Sequence, residues 1–124
     1  MNLVDSSGWI EYFFGRPNAA FFRSVIHDTA NLVVATVSLV EVIRYITRAA
    51  NREAAQEAAA QMQRGKVAAL DAALADLAAR LSLKHNLPIA DSIVYATAHA
   101  HRARLYTQDE DFQKLPSVKY IRKR

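Results

Sequence analysis

The segment Asn31-Leu32-Val33-Val34-Ala35-Thr36 decides the fold class, because it is apolar and β-branched on consecutive rather than alternate positions. A strand that buries one face alternates apolar with polar residues; one covered on both faces does not, and such strands are usually parallel. Working outward, short strands are predicted at Asn2–Val4, which stops at Asp5, and at Lys66–Leu70, Leu105–Thr107 and Val118–Ile121. Helical patterns lie between them. Ser6-Ser7-Gly8 can cap a helix carrying Trp9, Ile10, Tyr12 and Phe13, which Gly15-Arg16-Pro17-Asn18 closes. Ala19–His27 puts Phe21, Phe22, Val25 and Ile26 on one side, and Ser38 can cap a helix carrying Leu39, Val42, Ile43 and Ile46. Residues 50–64 are rich in alanine and long polar residues, a composition that propagates helix until Gly65 breaks it. Asp71–His85 carries Leu74, Leu77 and Leu81 on one stripe and ends at Asn86. Pro88, in a first helical turn, opens a helix with Ile89, Ile93, Ala96 and Ala100 at helical spacing, and a short helix starts at Asp109–Phe112. The alternation predicts one α/β domain over residues 1–124, a parallel sheet with right-handed crossovers, and no internal repeat.

At 124 residues and 52% hydrophobic content the chain has the size and composition of one folded domain, which argues against disorder. It has no cysteine, which excludes a disulfide framework, a thiolate zinc site and a cysteine nucleophile, and agrees with a reducing cytoplasm. Met1-Asn2-Leu3-Val4-Asp5 lacks the pattern of a signal peptide, and the longest apolar tract, Leu32–Ile46, is interrupted by Thr36, Ser38, Glu41 and Arg44. A cytoplasmic protein with no membrane segment is the expectation. Sixteen Lys and Arg against twelve Asp and Glu give a net charge of +4, which favours polyanionic partners.

Four carboxylates stand where strand ends or apolar helix stripes bring them near the core: Asp5, Glu41, Asp91 and Asp109. Each has a structural alternative. Asp5 and Asp109 follow strands and can cap the next helix, Asp91 suits the first turn of its helix, and Glu41 can pair with Arg44. Taken together they point elsewhere, since open parallel sheets bind ligands beyond the carboxyl ends of their strands, at the switch point of strand order. If the first and fourth strands are neighbours, Asp5 and Asp109 meet there, within reach of Glu41 and Asp91. Crowded carboxylates stay ionised only beside a cation, and an all-oxygen set suits Mg2+ or Mn2+ rather than zinc.

The runs VDSSGWIEYF (4–13), SLVEVIRYI (38–46), LPIADSIVYATA (87–98) and LYTQDEDF (105–112), in this order and at these separations, resemble the PIN-domain ribonucleases, and among them the VapC-type toxins of prokaryotic toxin–antitoxin pairs. The resemblance covers nearly the whole chain. It implies a five-stranded parallel sheet flanked by helices in an α/β/α sandwich, and an acidic quartet at Asp5, Glu41, Asp91 and Asp109. It further implies a Mg2+- or Mn2+-dependent endoribonuclease, in which a metal-activated water attacks the phosphodiester. The partners it implies are an RNA substrate, a second copy in a homodimer, and a VapB-like antitoxin that fills a groove near the site. In the Asp109-Glu110-Asp111 run Asp111 is an alternative or accessory metal ligand, and Ser7 and Thr107 stand where their hydroxyls can hold a carboxylate.

Carboxylates repel phosphate, so RNA attraction needs other residues. Arg44, Arg48 and Arg52, spaced four apart, are expected to form one stripe on the helix that carries Glu41, and Arg122-Lys123-Arg124 add a basic end. Trp9, Tyr12, Phe13 and residues 50–64 are candidates for the groove and dimer surface. His27, His85, His99 and His101 lack metal-ligand spacing, and the glycines at 8, 15 and 65 form no phosphate loop. Two other function classes are open. A catalytically silent RNA- or protein-binding module shares the fold, although all four acidic positions are filled. A phosphotransfer domain needs an acceptor Asp after the third strand and a Lys after the last, a pair not clearly supplied here.

Overall fold

A computed structural model describes every residue from Met1 to Arg124. Five strands, β1 (Asn2–Val4), β2 (Leu32–Ala35), β3 (Lys66–Ala68), β4 (Arg104–Thr107) and β5 (Val118–Tyr120), form one sheet in the order β3-β2-β1-β4-β5. Every neighbouring pair is parallel. The chain starts in the middle of the sheet, builds outward through β2 and β3, then returns to place β4 on the free edge of β1. Six helices connect the strands: α1 (Ser6–Phe13), α2 (Ala19–His27), α3 (Thr36–Ala49), α4 (Arg52–Met62), α5 (Ala72–His85) and α6 (Ile89–Ala100).

Successive residues of the central strands feed opposite cores. Val4, Leu32 and Val34 pack with Trp9, Phe22, Ile26, Val42, Ile46 and Met62 from α1–α4. Leu3, Val33, Ala35 and Leu105 pack with Val94, Tyr95 and Ala98 of α6 and with Phe112. This two-sided burial is the physical content of the unbroken apolar run at 31–36, each large side chain so buried contributing roughly 1.5–3 kcal/mol. Leu74, Leu77, Ala78 and Leu81 of α5 cover α6 at Ile93 and Ala96. The α/β sandwich with a five-stranded parallel sheet is therefore as expected.

Several local expectations change. Asp5, not Ser6-Ser7-Gly8, caps α1, accepting from the Gly8 N–H. Ser38 does not cap α3: β2 passes into that helix at Thr36 with no side-chain cap, and the Ser38 hydroxyl is buried without a partner. Pro88 occupies the cap of α6 rather than its first turn, and Ile89 and Ala100 are exposed. The side chains of α6 that are buried are Ser92 and Val94–Ala98, because the helix lies between the sheet and α5. The helix carrying Glu41 ends at Ala49, and Asn51 caps a new one by accepting from the Ala54 N–H. Arg44 and Arg48 thus belong to α3 and Arg52 to α4, so the three do not form one stripe.

Gly8 is required for close approach. A Cβ there lies 2.6 Å from both the Phe22 ring and Val4 Cγ1, inside the α1–α2–β1 contact. Gly8→Ala is therefore expected to destabilise the fold by about 1–3 kcal/mol despite the higher helix propensity of alanine, measured as a lower urea midpoint at unchanged slope. Equal or greater stability would show that Phe22 moves freely.

Candidate metal centre

Register builds the site. Pairing Val4 with Tyr106 puts the residues that follow, Asp5 and Thr107, side by side at the carboxyl edge of the sheet, and the Asp5 N–H donates to the Tyr106 carbonyl at 3.3 Å. Asp5 is only 4% exposed. Its Oδ1 accepts from the Gly8 N–H at 3.0 Å and the Ser7 hydroxyl at 2.8 Å, and its Oδ2 from the Thr107 hydroxyl at 2.7 Å. Capping and a place in the site thus belong to one side chain. Thr107 Oγ1 also accepts the Asp109 N–H at 2.9 Å, so one hydroxyl ties the turn after β4 to the carboxylate after β1.

Beyond Asp5, three carboxylates converge. Asp91, Asp109 and Asp111 each present an oxygen within 4.8 Å of the others. Asp91 comes from the first turn of α6, and Asp109 caps the 3-10 turn Glu110–Phe112 by accepting from the Asp111 N–H at 2.9 Å. Asp91 and Asp109 are half-buried and Asp111 is exposed. Asp109 and Asp111 thus both lie in the cluster.

The proton affinities record burial first and this crowding second. Burial pushes the Asp91 carboxyl up to about 7, with the charge of Asp109, a shared proton and charge from Asp111, and the charge of Asp5 adding to the effect. Burial likewise raises Asp5 to about 6, against the opposing hydrogen bonds of Thr107, Gly8 and Ser7, while Asp109 pushes it further up. Carboxylates with such mutual repulsion bind protons or a cation.

Glu41 stands apart from the trio. Its carboxylate accepts a short hydrogen bond from the hydroxyl of Ser6, the residue after Asp5, and it does not pair with Arg44. Ser6 was read only as a cap, and its role is visible only once α1 and α3 are packed. Glu11 was also missed: it is 2% exposed and accepts from the Asn18 N–H at 2.8 Å and from Gln108 Nε2 at 3.0 Å. Because Gln108 lies between Thr107 and Asp109, this buried network braces the loop that carries the site. The one available signal was a carboxylate set between Ile10 and Tyr12 on an apolar helix. None of the histidines joins the cluster; His27 bonds to the Tyr12 hydroxyl and His85 packs edge-on against Tyr95.

The donor set is therefore all oxygen, with Asp5 fixed by its cap of α1 and by the Ser7 and Thr107 hydroxyls and Asp109 by its cap of the 3-10 turn, at the switch point between β1 and β4. This chemistry fits a hard divalent cation such as Mg2+ or Mn2+, which prefers oxygen ligands and retains waters.

Comparison with known proteins agrees with this fold. The PIN domain family model matches residues 3–118. Among solved structures, a toxin–antitoxin complex from Klebsiella pneumoniae is similar at a TM-score of 0.80 and 22% identity, over 96% of each chain. VapC20 of Mycobacterium tuberculosis, described as a sarcin-ricin loop cleaving toxin, is similar at a TM-score of 0.78 and 19% identity, over 94% of this chain and 95% of that one. DNA-bound VapBC from Salmonella typhimurium is similar at 0.77 and 14% identity, over 98% of each chain. No curated protein matches the chain in sequence. With the family model spanning β1 to β5 and the acidic residues gathered at the β1/β4 edge, the chain belongs to the PIN-domain family.

Proposed function

We propose that the protein is a divalent-metal-dependent endoribonuclease of the VapC toxin type, acting on RNA and neutralised by a VapB-like antitoxin. The observation that carries this reading is the convergence of Asp91, Asp109 and Asp111 on one point, backed by buried Asp5. Asp5, Asp91, Asp109 and Asp111 would hold the cation, with Glu41 on the rim where a water or a phosphate approaches. Bound there, Mg2+ or Mn2+ supplies Lewis acidity toward an attacking water and charge neutralisation at a scissile phosphodiester. Thr107 and Ser7 orient Asp5, and Ser6 orients Glu41, so the carboxylates are held in place before substrate arrives.

The partner reading rests on the surface. Phe13, Phe14, Ile46, Ala54 and Ala58 line a groove of about 260 Å3 between α1, α3 and α4. Arg16 lies over the Phe14 ring at 4.9 Å at its edge. An apolar antitoxin segment fits this groove. Of the sequence candidates Phe13 and α4 contribute, whereas Trp9 is fully buried in the core and Tyr12 is held by His27 and Gln61. Exposed Val40, Leu83 and Ile89 offer apolar surface to a second copy.

With Mg2+ the protein is expected to cleave RNA, and EDTA to abolish cleavage. Asp91→Asn should reduce the rate at least ~100-fold, and Thr107→Val, which removes a hydrogen bond to a ligand and no ligand itself, about 10–100-fold. Cleavage that survives both EDTA and Asp91→Asn would overturn the nuclease assignment, leaving a silent binding module.

Stability should follow the same charges. Because Asp5 and Asp91 hold protons in the folded state up to about pH 6 and 7, against 3.8 for an ordinary aspartate, their neutral forms favour folding below pH 4. That contribution is lost as pH rises through 6–7. Without metal, Asp91→Asn should therefore gain in Tm relative to wild type between pH 5 and pH 8, since the repulsion it removes appears only when Asp91 ionises. Mg2+ should raise the wild-type Tm at pH 8 far more than at pH 5, and the variant's much less. A Mg2+ effect independent of pH would place the ion elsewhere.

A further inference from the structure

A second cleft, far from the carboxylates along α6, is basic where the first is acidic. Lys84, His85, Tyr95, His99, Arg102 and Ser117 line a cavity of about 590 Å3 that contains no carboxylate. Lys84, His85, His99 and Arg102 form no ion pair, the chain's one salt bridge being Asp76–Arg80. A neighbouring cavity of about 360 Å3 shares Arg102 and Ser117 and adds Arg104.

Basic side chains at helix C-termini complement the macrodipole, and this accounts for Lys84, His85 and His99 at the ends of α5 and α6. It does not account for Arg102. That residue is the left-handed position of a Schellman turn, at φ 51°, with the Ala103 N–H bonded to the Ala98 carbonyl and its own N–H to that of His99. Glycine is the favoured residue at such a position, and an arginine there is a strained choice that keeps a guanidinium at the cleft. Ser117, on the opposite wall, is left-handed too, at φ 62°.

The cleft is aligned with the carboxylates. Asp91, Tyr95 and Ala98 follow one another at helical spacing on one face of α6, and Arg102 lies in the turn just beyond that helix. Tyr95 touches the ring of Phe112, the residue after Asp111, and its hydroxyl donates to the Pro116 carbonyl. A polyanionic strand placed at the acidic centre meets repulsion from every carboxylate that the cation leaves unneutralised. The basic residues of the cleft stand at the other end of α6, with Lys84 and His85 in the last turn of α5, His99 in the last turn of α6 and Arg102 just beyond it.

We propose that this cleft binds the phosphodiester backbone of single-stranded RNA and leads the strand along α6 away from the carboxylate centre. The identity of the ligand as RNA rests on the nuclease reading, whereas the anion site itself does not. The pair Lys84→Ala with Arg102→Gly tests it, since glycine suits the left-handed backbone and both residues are exposed. Binding of a labelled single-stranded RNA is measured in EDTA over a range of salt. The double variant is expected to bind roughly tenfold more weakly, with a salt slope shallower by about 1.4, because each phosphate contact on a single strand accounts for ~0.7. Arg23→Ala with Arg64→Ala, which removes equal charge from other exposed sites, should leave the slope unchanged.

Identical binding by wild type and the Lys84/Arg102 variant, or equal losses in both pairs, would overturn the proposal. So would poly-glutamate binding with the same variant sensitivity, which would mark an acidic protein partner. Loss of nucleoside monophosphate binding without loss of RNA binding would mark a small-anion site instead. Because no metal is present, RNA binding without any Mg2+-dependent cleavage would sink the nuclease reading alone, and cleavage without variant-sensitive binding would sink this one alone.

Discussion

Everything at the candidate centre depends on β4 pairing with β1 in a single register. That register sets Thr107 beside Asp5 and lets one buried hydroxyl donate to Asp5 while accepting the Asp109 N–H. In a parallel pair a shift of one residue turns every side chain to the other face, so the hydroxyl would leave the carboxylate and Leu105 would leave its core. The two demands, a dry contact for Leu105 and a hydrogen bond for Asp5, select the same alignment. The carboxylates are thereby fixed in a place where burial first, and their mutual repulsion second, push Asp91 up to about 7.

A structure that gathers acids in this way carries a cost to stability, and a cation is the natural compensation. The same organisation separates charge over the molecule. With the four predicted site acids Asp5, Glu41, Asp91 and Asp109 set aside, sixteen basic residues face eight acidic ones, so a surface of net +8 surrounds an acidic centre. Some of that positive charge is structural: Arg124 donates to Asn18 Oδ1 and to the Pro17 carbonyl, which fastens the chain end over α2 rather than leaving it as a loose basic tail. Arg102, in the left-handed turn after α6, forms no ion pair.

Most of the fold was legible because it follows from local pattern. The run at 31–36, the β-branched ends and the helix stoppers at Gly65 and Asn86 each state their own conformation, and five strands with intervening helices leave few arrangements. The expectations that failed depend on neighbours that pattern does not name. Ile89 and Ala100 kept helical spacing, yet α6 is wedged between sheet and α5 and buries a different set of side chains. The three arginines kept i, i+4 spacing, yet Asn51 supplies a cap in the middle of the stripe and divides it between two helices. Trp9 was a candidate for the groove and dimer surface, whereas it is fully buried in the core with Phe22 and Val4, at the close α1–α2 contact that Gly8 permits.

The sequence by itself determined the class of fold, the single domain, and which acids stand at strand ends and first helical turns, since these follow from periodicity and capping over a few residues. Only the tertiary structure decided that Asp109 and Asp111 both join Asp91, that Asp5 sits behind them on Thr107, and that Glu41 turns to Ser6 rather than to Arg44. The physical reason is range. Helix and strand preferences act between near neighbours along the chain, but the electrostatics of a site arise between groups about a hundred residues apart, and these meet only when the sheet chooses its strand order.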